Sequence, residues 1–110
     1  MEKKRNLSQY EAEEIPFIDD KHLTIAIVVA QWNSEITFSM KNACIDTLLQ
    51  HGIDQQQIIV KQVAGSFELP FVAKQLILHQ NVDAVVCIGC IIQGETRHFD
   101  FIAQATANGI

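Results

Sequence analysis

The chain has 110 residues, of which 48% are hydrophobic and 19% charged, and its formal net charge is −5. That length suits one domain, and the composition excludes wholesale disorder. The acidic balance excludes non-specific nucleic-acid binding, which needs a cationic surface, although backbone N–H groups in an acidic protein still bind a small anion.

Residues 1–21 mix Lys, Arg, Glu and Asp without periodicity, and the reading is a mobile N-terminal arm, followed by one α/β domain over 22–110. Within the arm, Ile15, Pro16 and Phe17 form a short apolar patch suited to docking on a neighbouring subunit. No secretion signal is visible there, and the apolar run 84–92 is too short to span a bilayer. Cys44, Cys87 and Cys90 make an odd count, which fits reduced thiols in a cytoplasm. The expectation is a cytoplasmic protein with neither membrane nor nucleic-acid partners.

From residue 23 the pattern is organised. Residues 23–30 (LTIAIVVA) are nearly continuous apolar and β-branched, the signature of a strand buried on both faces of a parallel sheet. After a polar turn at 31–34, Ile36, Met40, Ala43, Cys44 and Leu48 recur at helical spacing. Ser34 is the expected N-cap, and Gly52 stands where a left-handed residue ends a helix. The cycle repeats with a strand at 57–63, a turn at 64–66 and a helix opened by Pro70 and striped by Val72, Leu76 and Ile77. A third cycle gives a strand at 83–88, a loop at 89–97 and a helix at 98–108, with Gly109 after it. Strand–loop–helix units in series predict a three-layer α/β sandwich around a central parallel sheet. Ligands in such sheets bind beyond the carboxyl ends of the strands, so loops 31–34, 64–68 and 93–98 are where chemistry is expected.

In the third of these loops, Gly94 admits close backbone approach. The N–H groups of Glu95 and Thr96 can face an anion, and His98 opens a helix. Histidine is the side chain that exchanges a proton near neutral pH. The plain alternative is a strand-to-helix turn capped by Thr96. In the second loop Glu68 stands between Phe67 and Leu69, either favouring a helix start through the macrodipole or accepting hydrogen bonds from ligand hydroxyls. Trp32, the only tryptophan, sits at a strand end, where its ring packs or stacks on a heteroaromatic ligand. The Cys87–Cys90 pair has CxxC spacing but lies at an apolar strand end with no second pair for zinc, and reads as buried structure. His22, His51 and His79 stand apart and read as surface or helix-end residues.

Taken together, Trp32-Asn33 with Glu35-Ile36, then Gly65-Ser66-Phe67-Glu68-Leu69-Pro70, then Gly94-Glu95-Thr96-Arg97-His98-Phe99-Asp100 resemble the lumazine synthase family of riboflavin biosynthesis. The resemblance runs from about residue 23 to 110. It implies a flavodoxin-like fold and a transferase that condenses 5-amino-6-(D-ribitylamino)uracil with 3,4-dihydroxy-2-butanone 4-phosphate. The products are 6,7-dimethyl-8-ribityllumazine, phosphate and water, and neither metal nor organic cofactor takes part.

The same resemblance implies that Trp32 stacks on the pyrimidine and that backbone around Ile91 and Ile92 meets the uracil edge. Ser66, Phe67 and Glu68 would hold the ribityl chain, Glu95 and Thr96 would bind phosphate, and His98 would transfer protons. It also implies self-association into a pentamer or a larger shell. Ala64 replaces the family's usual proline, and Gln93 stands where many members carry arginine. The family continues past the position of Ile110 with another strand and two helices, so the C-terminal part is expected to be missing. Two other readings remain at this stage. One is a non-catalytic remnant that keeps the fold or binds flavin-like ligands, and the other is an unrelated flavodoxin-like phosphate-binding module.

Overall fold

The computed structural model of the chain describes residues 11–94 and 97–110. The first strand, β1 (Ile25–Ala30), is buried along its whole length. It is followed by α1 (Ser34–Gln50), β2 (Ile58–Val63), α2 (Leu69–His79), β3 (Ala84–Ile88) and α3 (His98–Gly109). The three strands form one parallel sheet in the order β2-β1-β3. Residues 23–30 read as doubly buried because β1 is the central strand, covered on both faces.

On one face, Ile27, Val29 and Ile88 pack with Phe38, Cys44, Ile45 and Leu48 of α1. On the other, Ala26, Val28, Ala30 and Val63 pack with Leu69, Val72 and Leu76 of α2. Helix, sheet and helix make the three layers expected of an α/β sandwich. Helix α3 packs against α2 and against a 3-10 turn at Ser66–Glu68. Its Gly109 lies so close to Pro70 that an added Cβ would stand 2.7 Å from Pro70 Cγ.

Polar groups pin both ends of the sheet. At the amino end, Thr24 N–H donates to Asp83 Oδ2 at 2.8 Å and Asp83 N–H donates to Thr24 O at 2.8 Å. Gln57 Nε2 donates to Asp20 O and Leu23 O, each at 2.9 Å. At the carboxyl end, Gln31 N–H donates to Val63 O at 2.7 Å and Trp32 N–H to Ala64 O at 3.1 Å. Residues 18–21 are bonded to this body. Ile18 N–H donates to His51 O at 2.7 Å, and Lys21 Nζ lies 3.2 Å from Asp54 Oδ2.

Several local expectations change. The N-cap of α1 is Asn33, in the left-handed region (φ 57°, ψ 51°), and Ser34 is the first helical residue. The chain must reverse sharply out of β1, and asparagine tolerates that conformation far better than most residues. Gly52, at φ 103°, ends the helix as expected, and a Cβ there would collide with Ile18 O. His51 is at a helix end as expected but is buried rather than at the surface, and its carbonyl accepts from Ile18 N–H. Gln57 belongs to a 3-10 turn (Gln55–Gln57) rather than to β2. Leu69 precedes Pro70 in α2, and Gly109 lies inside α3. The cysteines are all free and only half-buried.

Candidate active site

The parallel register sets the site. Ala30 pairs with Val63 and Val29 with Ile88, so the segments leaving β1, β2 and β3 emerge at one rim. A cleft of about 400 Å³ opens there. Trp32, Ser66, Phe67, Glu68, Ile91, Ile92 and His98 all line it, so seven residues singled out from the sequence meet in one place. Glu95 and Thr96 lie outside the described residues. Ala64, Gly65, Cys90 and Ile102 also line the cleft. Ala64 and Gly65 belong to a loop where chemistry was expected, whereas sequence reasoning did not select Cys90 or Ile102. Cys90 had a visible signal in its spacing from Cys87, but the strand-end reading assigned it to buried structure.

The first loop is locked to its neighbours. Thr37, fully buried in the first turn of α1, donates from Oγ1 to Ala30 O at 2.7 Å across the turn. The left-handed Asn33 sends its Nδ2 to Cys90 Sγ at 3.6 Å, a weak bond that ties the first loop to the third. With its backbone tied to Ala64, Trp32 presents a half-exposed indole (51%) at the rim. A flat apolar face held this way is suited to stacking on a planar ring.

The second loop folds on itself. Gly65 N–H donates to Glu68 Oε2 at 3.0 Å, and Glu68 N–H donates back to Gly65 O at 3.2 Å. One carboxylate oxygen therefore holds the turn, leaving Oε1 to accept from a ligand. Ser66 is 7% exposed, and its Oγ finds no hydrogen-bond partner among the described residues. A buried hydroxyl without a partner in a cleft wall is what a ligand hydroxyl or an ordered water would satisfy. Phe67, by contrast, is 60% exposed.

The third loop brings Cys90, Ile91 and Ile92 to the cleft, and α3 starts with His98, which also lines it. Just ahead of it, the Arg97 guanidinium lies 5.3 Å from the Phe101 ring centroid, a cation–π distance. Burial pushes the Cys87 and Cys44 thiols above their ordinary value. Among the described residues, no three His, Cys, Asp or Glu side chains cluster as metal ligands would.

The same residues can be set against known proteins. The model of the 6,7-dimethyl-8-ribityllumazine synthase family matches residues 22–110. The 6,7-dimethyl-8-ribityllumazine synthase of Cytophaga hutchinsonii is 48% identical over 106 residues, covering 96% of this chain and 65% of the relative. That of Porphyromonas gingivalis is 46% identical over 105 residues, covering 96% of this chain and 64% of the relative. That of Gloeobacter violaceus is 42% identical over 96 residues, or 84% of this chain and 53% of the relative. The chain thus spans less than two thirds of the length of these relatives. An α/β sandwich with its cleft at the strand ends, a family match over most of the chain and identities above 40% lead to one conclusion: the chain belongs to the 6,7-dimethyl-8-ribityllumazine synthase family.

Proposed function

We propose that the cleft is the substrate site of a lumazine synthase, a transferase that condenses 5-amino-6-(D-ribitylamino)uracil with 3,4-dihydroxy-2-butanone 4-phosphate and releases phosphate. The observation that carries this reading is the meeting of Trp32, Ser66–Glu68, Ile91, Ile92 and His98 around one cleft. Trp32 stacks on the pyrimidine, and the backbone of Ile91 and Ile92 meets the uracil edge. Ser66 donates or accepts, and Glu68 accepts, hydrogen bonds along the ribityl hydroxyls, beside Phe67. Glu95 and Thr96 hold the phosphate through their N–H groups.

The reaction needs two molecules held together while an amine attacks a ketone, phosphate leaves, the ring closes and water is lost. Orientation supplies much of the acceleration in such a condensation, and His98 shuttles the protons. No helix among the described residues is long and apolar enough to cross a membrane. The free thiols of Cys44, Cys87 and Cys90 support a cytoplasmic setting. Exposed Phe67, Phe71, Leu78 and Phe101, each between 59% and 67% accessible, support self-association into a pentamer or larger shell.

The test is to incubate the purified chain with both substrates and record lumazine fluorescence, with light scattering giving the mass of the assembly. Product above the spontaneous rate supports the reading. Binding of the aminouracil without product would instead favour a ligand-binding protein that keeps the fold.

A further inference from the structure

We infer that Gly89 is a positioning residue of this site: having no side chain, it lets the Ser66–Glu68 turn seat against the end of β3 and so fixes the separation of the two cleft walls. Gly89 follows Ile88 directly, at the point where β3 gives way to the third loop. Its backbone has no left-handed demand, since Gly52 is the only positive-φ glycine among the described residues. What Gly89 supplies is space. A Cβ built there would collide with Ser66 Oγ, stand 3.2 Å from Ser66 Cβ and 3.0 Å from Leu69 Cδ1.

Both neighbours are closely packed. Ser66 is 7% and Leu69 2% exposed, and Leu69 belongs to the core beneath α2. A side chain at position 89 therefore pushes the turn outward, and the turn carries Phe67 and Glu68 with it. The partnerless Ser66 hydroxyl lies at this seam, so its reach toward a ligand depends on the same contact. Cys90, Ile91 and Ile92, directly after Gly89, line the same cleft as Ser66, Phe67 and Glu68. One missing methyl group thus sets the gauge of the cleft for a planar ring bearing a polyhydroxyl chain.

This inference rests on the proposed function for its ligand, and the test separates the two. The full chain and the variants Gly89→Ala, Ser66→Gly and Gly89→Ala/Ser66→Gly are titrated with 5-amino-6-(D-ribitylamino)uracil, following Trp32 fluorescence. Ile53→Val, a core substitution at the other end of α1, serves as a control for destabilisation alone. Gly89→Ala is expected to weaken binding by roughly tenfold or more and to lower the urea midpoint by roughly 1 M. Ser66→Gly removes both the colliding oxygen and its carbon. In that background the added methyl should therefore cost at most roughly threefold in affinity. Ile53→Val should lower the midpoint and leave affinity unchanged.

Equal losses from Gly89→Ala in both backgrounds, or no loss in either, overturn the inference. Should Gly89→Ala fail to fold, the folding and binding of the double variant, set against Ser66→Gly, decide it. Absence of Trp32 quenching in the unsubstituted chain overturns the proposed function. The urea midpoints of the same four proteins, which need no ligand, then decide whether Gly89 seats the turn.

Discussion

The two walls of the cleft are built on opposite plans. The wall from the second loop is continuous with the core. Ser66 and Leu69 are buried, Glu68 closes a hydrogen-bonded turn on Gly65, and the end of β3 presses against it. The wall from the third loop starts half-buried at Cys90 and Ile91 and opens to solvent beyond them. Ile92 is 56% exposed, and a Cβ on Gly94 would meet nothing within 4 Å. The difference teaches where stability and chemistry are coupled. A substitution at the buried Ser66 disturbs the fold and the ligand together, whereas the exposed Ile92 can be altered with little effect on the fold.

The largest effect expected from this contrast falls on catalysis at the open wall. His98→Ala should slow turnover by roughly 10²–10⁴-fold while changing unfolding free energy by no more than about 0.5 kcal/mol. Steady-state lumazine formation and urea unfolding measure the two, and unchanged turnover would remove His98 from the mechanism. Next comes a paired truncation. Leu69→Ala, in the core directly behind the seated wall, should cost about 2–5 kcal/mol in stability, against about 0.5 kcal/mol or less for Ile92→Ala. Similar values for the two would erase the distinction between the walls.

A smaller effect separates the two jobs of Glu68. Glu68→Ala loses the acceptor for Gly65 N–H and should cost about 0.5–1.5 kcal/mol. Glu68→Gln keeps an acceptor oxygen in that place, so it should retain stability while weakening binding of the ribityl chain. Calorimetric titration beside thermal unfolding reads both. If Glu68→Gln destabilises as much as Glu68→Ala, charge rather than the turn bond holds the loop.

The smallest effect concerns the half-buried thiols of Cys44 and Cys87, both raised by burial. Below an unfolded-state thiol value of about 8.5 both states are protonated and nothing changes. Above it the unfolded chain ionises first, so stability declines as pH rises. Urea midpoints at neutral and alkaline pH should show this fall, and the Cys44→Ala/Cys87→Ala double variant should flatten it.

Much of the sheet was legible because the central strand has to be apolar on both faces, and residues 25–30 are. The turn after it was less so. Ser34 has the usual chemistry of a cap, yet the geometry of leaving β1 requires a left-handed residue, and Asn33 takes the place. Seven residues of the cleft lining were legible through three motifs at strand ends, which the parallel register brings to one rim. Gly89 was not legible. Its requirement comes from Ser66, 23 positions earlier, and no local pattern carries a constraint of shape between two loops. The same holds for Ile102, which joins the cleft only because α3 folds back onto the second loop.

A strand as uniformly apolar as β1 carries little information about its own alignment, because sliding it by one residue exchanges one greasy face for another. The polar pins at the sheet's ends supply what the core cannot. The reciprocal Thr24–Asp83 bonds and the Gln57 amide act as stops at one end, and Gln31 and Trp32 as stops at the other. A slip of one step would displace a loop by about 3.3 Å and scatter the rim with the interior still well filled. Asp83 and Gln57, at the far end of the sheet from the cleft, thereby guard the alignment of the residues that line it.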